Sequence, residues 1–230
     1  MIYQSIRFMK KNISFIVAHP DDETIGCGGT ILKKIKEGHN INLLILSNGI
    51  SARSLKKKDL IIRKKNFEKV IKNYKIKNYK ILDFPDNQFD TIPLLKLIKV
   101  IENFIIKNKS SEVFTHYYDE LNIDHKITSK AVITACRPKP NSFINKLFFF
   151  EVLSSTNWNF NGNTFKPNYF EDISKFTKKK IEILKLYKNE IPKGNHTRSL
   201  KNIIRLSEIR GSSVGIKNAE AYILYREINK

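Results

Sequence analysis

Residues 13–23 read ISFIVAHPDDE, a run of apolar and β-prone positions that ends in one histidine and three carboxylates crowded into five places. Residues 13–18 read as a buried strand. Like charges this close repel one another and raise each other's pKa values, so the cluster calls for a positive partner. A bound metal ion is the strongest candidate.

Working outward from this strand, apolar periodicity alternates between strand and helix. The pattern predicts a helix over 29–37, closed by Gly38 just past its end, and a strand over 41–46. A helix over 59–74 carries Leu60, Ile61, Phe67, Val70, Ile71 and Tyr74 at helical spacing, and a strand over 79–84 follows. Next come a helix over 93–108, a strand over 112–116, a helix over 125–136 that stops before Pro138, and a strand over 147–153. Residues 156–169, aromatic and rich in asparagine, read as a loop or short hairpin, and helices are expected over 176–189 and 218–228. Strands alternating with helices imply an α/β fold, a mostly parallel twisted sheet covered on both faces. Ligands in such folds sit at the carboxyl ends of the strands, which is where AHPDDE falls.

The chain has 230 residues, 41% hydrophobic and 28% charged, the balance of an ordinary globular protein with a substantial core. No apolar run approaches the roughly 18 residues of a membrane helix, and the opening MIYQSIRFMKKN lacks the features of a signal peptide, so a cytoplasmic location is expected. Two cysteines, Cys27 and Cys136, make no disulfide framework. Cys27 follows Glu23 by four residues, so a ligand or nucleophile role competes with that of a small buried side chain, and the latter is preferred. The formal charge of +20 favours anionic partners. Only eight of the 42 basic residues are arginine, and the lysines are spread along almost the whole chain, so no nucleic-acid groove is expected.

His19 and Asp22, three apart across a proline-started turn, can point an imidazole and a carboxylate at one ion while Asp21 faces the space beside it. A third ligand must come from elsewhere, and Asp124-His125 in NIDH, just beyond the 112–116 strand, is at the same edge of the sheet. Two histidines and one carboxylate leave a coordination position open, as in catalytic zinc sites. Zinc there lowers the pKa of its water to about 7, and Asp21 could take the water's proton, which implies hydrolysis of an amide or ester. A competing reading makes Pro20, Asp22 and Glu23 the start of a helix, but it leaves His19 and the crowded charge without a cause. For Asp124-His125 the plain alternative is an N-cap beside a core histidine. Gly26, Gly28 and Gly29 in IGCGGT could suggest a dinucleotide loop; the preceding acids would repel a pyrophosphate, so close packing of helix on sheet is the better explanation.

AHPDDETIGCGG, followed by SNGISARS, Arg63, FPDNQFD, LNIDHKITSKAVITACRP and RGSSVGIKNAEAYILYRE, resembles the PIG-L/LmbE-like family of zinc-dependent N-deacetylases in motif content and order. The resemblance implies one Rossmann-like domain over residues 1–230, Zn2+ held by His19, Asp22 and His125, and Asp21 as general base. It also implies an N-acylated sugar substrate, nucleotide- or lipid-linked in some cases, contacted by Arg63, with Asp124 placed beside it among the substrate-binding residues. Where many relatives read HPDH this chain reads NIDH, so Asn122 replaces the histidine that steadies the oxyanion in them. Asn122 can donate a hydrogen bond there, and His196 in GNHTRS is a second candidate. Ser213 stands where glutamine is common and Asn66 where glutamate is. The expected activity is removal of an N-acyl group, most simply acetyl, from an amino sugar. The rivals are a zinc amidase or thioester hydrolase on another conjugate, and a basic module that binds nucleic acid or membrane.

Overall fold

A computed structural model describes residues 9–49, 57–140, 142–158, 163–187 and 190–229. Strand β1 (Asn12–Val17) leads into helix α1 (Asp22–Lys36), then β2 (Asn40–Ile45), α2 (Lys57–Tyr74), β3 (Asn78–Ile81), α3 (Leu94–Lys107), β4 (Glu112–His116), α4 (Ile123–Ala135) and β5 (Lys146–Phe150). The remaining elements are β6 (Tyr169–Asp172), α5 (Thr177–Leu184), α6 (Leu200–Ser212) and β7 (Ala219–Glu227). One seven-stranded sheet runs in the order β3-β2-β1-β4-β5-β7-β6. The first five strands are parallel and β7 is antiparallel to both β5 and β6.

Strand order reverses between β1 and β4. After β1 the chain winds outward through β2 to β3, then α3 returns it to the other side of β1. This leaves a crevice at the carboxyl ends of β1 and β4, where ligands enter such sheets. Alternate side chains of the central strands enter two cores. On one face Phe114 stacks between Phe15 (4.8 Å) and Phe148 (4.4 Å), covered by α1, α2, α5 and α6. On the other, Ile16, Val113, Leu147 and Phe149 meet the apolar stripe of α3 and the small face of α4. Burial on both faces explains why these strands read as continuous apolar runs.

Four elements differ from the pattern read in the sequence, one of them β6, a strand just past the stretch read as a loop. Helix α1 starts at Asp22, seven residues before the predicted 29–37 span, with Asp22 and Glu23 in the first turn where the helix dipole favours them. The glycines inside it mark close packing: a Cβ on Gly26 would lie 2.3 Å from the Phe150 ring, and one on Gly29 would lie 2.6 Å from Ile173. The helix start and the histidine cluster, rivals in the sequence, therefore coexist. Residues 218–228 form β7 and not a helix. Their Ala, Glu and Leu favour helix, but β5 and β6 supply a hydrogen-bonded ladder on each side, and the side chains alternate. Glu220 and Tyr222 face α1, while Ile223 and Tyr225 face the other core. Glu220 accepts from the Gly29 and Thr30 N–H groups at 2.8 and 2.7 Å and pairs with buried Lys180 at 2.7 Å. Helix α6 has no counterpart in the pattern read from the sequence; Ser199 caps it by accepting from the Asn202 N–H. Residues 50–54 of SNGISARS, residues 159–162 of the expected loop and residues 188–189 of the expected helix lie outside the described residues. No helix among the described residues is long and apolar enough to cross a membrane.

Candidate active site

The carboxyl ends of β1, β2 and β4 open into a cavity of about 580 Å³. Its floor carries His19, Asp21, Asp22 and His125; its walls include Arg63, Asp86, Asn87, Asn122, Tyr187 and Arg198. His19 follows the end of β1, and its main-chain N–H donates to Asp22 Oδ2 at 3.0 Å, closing the turn that sets the ring beside the first turn of α1. His125 comes from the first turn of α4. Asn122 caps that helix, its Oδ1 accepting from the Asp124 and His125 N–H groups at 2.9 and 3.2 Å.

Asp22 Oδ2 lies 3.3 Å from His19 Nδ1 and 3.2 Å from His125 Nε2. In a tetrahedral site with bonds of 2.0–2.1 Å, neighbouring ligand atoms are about 3.3–3.4 Å apart. The donor set thus fits zinc: two imidazoles, one carboxylate and an open side toward the cavity. The far nitrogen of each ring meets a carboxylate, the arrangement that orients metal-binding histidines. His19 Nε2 is 2.9 Å from Asp124 Oδ2 and 3.0 Å from Asp86 Oδ1. His125 Nδ1, buried and without a hydrogen bond among the described residues, is 3.6 Å from Glu120 Oε2. Glu120 is itself held by the hydroxyls of Ser155 and Thr156.

Charge favours a cation here. Burial pushes the Asp22 carboxyl up, but His125 and His116 beside it outweigh that and hold it well below the usual carboxylate range. Burial works to lower both His19 and His125, yet the surrounding carboxylates raise His19 well above its ordinary value and His125 to about 9. A metal ion would displace those protons on binding. Burial also raises Asp21 to about 7, with Arg198 opposing the rise and Asp22, Glu190 and Glu23 adding to it.

Asp21 stands beside Asp22 as expected, and its backbone is unusual, with φ of 106° at the N-cap of α1. A non-glycine residue there costs on the order of 1–3 kcal/mol and is tolerated where the surroundings fix it. Its N–H donates to Glu23 Oε2 (3.0 Å), and its Oδ2 accepts from Arg198 Nη2 (2.9 Å). Glu23 is braced in turn by the hydroxyls of Thr24 and Tyr187.

Two of the expected site residues take other places. Asp124 is fully buried, does not line the cavity, and accepts from Asn87 N–H (2.6 Å), Phe89 N–H (3.0 Å) and His19. It braces His19 and the 87–89 turn and is not among the residues that line the cavity, where a substrate contact is expected. His196 is exposed and absent from the cavity wall; its Nδ1 accepts from the Arg198 N–H at 3.0 Å. Arg63 does line the cavity, with Nη1 donating to the Gly49 carbonyl and Nη2 to Glu190. Asn66 also lines it, whereas Ser213 is exposed at the end of α6. Cys27 is buried in the core and free.

Four further residues of the site, His116, Asp86, Glu120 and Arg198, carry no signal of their own in the sequence. His116 stacks on His125 with ring centroids 3.9 Å apart, and its Nε2 accepts from the Ala18 N–H at 2.9 Å, so it backs His125 and ties β4 to the end of β1. The motifs FPDNQFD and GNHTRS contain Asp86 and Arg198, but nothing local in either shows which residue turns inward.

The fold is shared by several solved structures. The conserved protein TT1542 from Thermus thermophilus superposes with a TM-score of 0.75 at 20% identity, covering 95% of this chain and 96% of that one. N,N'-diacetylchitobiose deacetylase from Pyrococcus horikoshii gives 0.73 at 19%, covering 94% and 84%. GalB, the 4-carboxy-2-hydroxymuconate hydratase from Pseudomonas putida, gives 0.75 at 15%, covering 96% and 98%. A hydrolase and a hydratase on one fold mean that the fold does not choose the reaction. A family model is more specific: that of PIG-L, GlcNAc-PI de-N-acetylase, matches residues 14–136, more than half of the chain and nearly the whole span from β1 through α4. The chain belongs to the PIG-L (GlcNAc-PI de-N-acetylase) family.

Proposed function

We propose that this chain is a zinc-dependent N-deacetylase acting on an N-acetylated amino sugar or sugar conjugate, with residues 1–230 working as one domain. The observation that carries the reading is Asp22 Oδ2 at 3.3 Å from His19 and 3.2 Å from His125, open to a cavity with Asp21 beside it. Family membership and the likeness to a chitobiose deacetylase support deacetylation. Zinc held by the three ligands would polarise the acyl carbonyl and make a water more acidic.

The chain's own residues supply the rest. Asp21 Oδ2 is engaged by Arg198, while Oδ1 accepts no hydrogen bond among the described residues and is available to a water in the cavity. As the water oxygen bonds to the acyl carbon, its proton passes to Asp21 and the carbonyl π pair moves onto oxygen. When that pair re-forms the carbonyl, the C–N bond breaks and Asp21 returns the proton to the departing nitrogen. The products are the free amine and acetic acid, which ionises in water. Tyr187 and Glu23 keep Asp21 in place through the buried bonds around its N–H.

Asn48, Asn66, Asn87, Asn122, Ser154 and Ser155 give the wall a neutral hydrogen-bonding character suited to sugar hydroxyls. Arg63 already faces Glu190, which weakens the case for a phosphate-bearing carrier at that point. A screen of N-acetylated amino sugars, free, nucleotide-linked and lipid-linked, for acetate release tests the proposal. Acetate from none of them, or cleavage confined to thioesters or non-sugar amides, would overturn it.

A further inference from the structure

We propose that Arg198 is a catalytic residue whose guanidinium steadies the negative oxygen formed on the acyl carbon, an inference that rests on the deacetylase reading above. A tetrahedral oxyanion needs donors aimed at it from a site that has excluded water. Two donors of the cavity wall, Arg63 and Asn122, are already engaged. Arg63 donates to Gly49 and Glu190. Asn122 commits Oδ1 to capping α4, which fixes its amide, and Nδ2 points to Asn87 Oδ1 at 3.4 Å. Lys64 is exposed.

Arg198 is different. Among the described residues the guanidinium, with five N–H donors, makes one hydrogen bond, from Nη2 to Asp21. Arg198 lines the cavity with its side chain 23% exposed, so the remaining Nη hydrogens can meet an oxygen bound beside Asp21. The side chain is also pre-positioned. Arg198 immediately precedes Ser199, the cap of α6, and the Arg198 N–H is held by His196 Nδ1 at 3.0 Å. His196 thus serves the arginine's backbone from outside the cavity. The group beside the base then has two tasks in sequence: it faces the charged Asp21, and once Asp21 has taken the water's proton it faces the oxygen that received the π pair.

The test compares wild type, Arg198→Ala and Arg198→Lys, all zinc-loaded. Arg198→Ala should retain zinc and lower kcat by about 10²–10³-fold with KM within about threefold. Added guanidinium ion should restore part of the rate, and Arg198→Lys should lie between the two. A rate within threefold of wild type, a rise in KM at unchanged kcat, or a loss that guanidinium cannot mend would overturn the role. Binding of methylphosphonate, a tetrahedral anion, supplies a readout apart from turnover. Its affinity should fall at least tenfold in Arg198→Ala and partly recover in Arg198→Lys. If wild type releases acetate from no acylated amino sugar, the deacetylase reading fails, and equal methylphosphonate affinities would separately sink the assignment of Arg198.

Discussion

Asp124→Asn separates a brace behind the metal site from a residue that touches substrate. In the native protein the two carboxylate oxygens accept three N–H groups: Phe89 at 3.0 Å on Oδ1, and Asn87 at 2.6 Å and His19 at 2.9 Å on Oδ2. Asparagine has one acceptor oxygen and turns an NH2 toward donors on the other side, so at least one buried N–H loses its partner. The cost is about 1–3 kcal/mol. For a chain of this size that lowers Tm by about 2–4 °C per kcal/mol. The bond to His19 also loses its charge, and outer partners of this kind are worth about 10–100-fold in metal affinity. Zinc competition against a chelator should therefore show a Kd raised 10–100-fold, while KM at saturating zinc stays close to the wild-type value. An unchanged zinc Kd with a raised KM would refute the reasoning and return Asp124 to the substrate.

Asp21→Asn removes the proposed base and no proposed ligand; acetate-release kinetics should show kcat down by about 10²–10⁴-fold with zinc content by elemental analysis unchanged. Gly26→Ala places a methyl 2.3 Å from Phe150, whose ring neighbours His116 at 4.9 Å. Denaturant unfolding should show a net loss of about 1–3 kcal/mol, although alanine is the better helix former. Burial pushes Glu171 up, but Lys34 and Lys33 outweigh it and hold its carboxyl below the usual value. A depressed carboxylate contributes stability above its unfolded pKa and loses it as pH falls through the folded one. Glu171→Gln should thus cost roughly 1–2 kcal/mol at pH 7, and its stability curve should converge with that of wild type as pH falls through the lowered folded pKa.

The part of the fold that positions the site was legible because its signals are local. Buried parallel strands read as apolar runs, and the three clustered acids with His19 stand at the end of one of them. NIDH marked a helix start with a candidate ligand in it, so His125 could be paired with β1 once the topology was read, although the cap is Asn122 and not Asp124. The carboxyl-terminal third was less legible. Residues 219–227 have helix-forming composition, and only their ladders with β5 and β6 make them a strand. Glu220 acts at a distance of 191 residues, on the Gly29 N–H. The same reason hid the supports of the site. Asp124 sits beside a candidate ligand in sequence and looks equally available to substrate, but its burial and its three donors are tertiary facts. His116 ends an ordinary strand, and only the stacking on His125 gives it a role. In GNHTRS the histidine drew attention for its chemistry, whereas the cap of α6 turns Arg198 inward and leaves His196 at the surface.

The central claim is that His19, Asp22 and His125 hold one zinc ion that hydrolysis of an N-acetyl group requires. Protein freed of metal by a chelator, then given zinc in fractions of an equivalent, should regain acetate release from an N-acetylated amino sugar in a straight line that levels at one zinc per chain. Activity that survives removal of the metal, or that is recovered equally well by His125→Ala, would contradict the account.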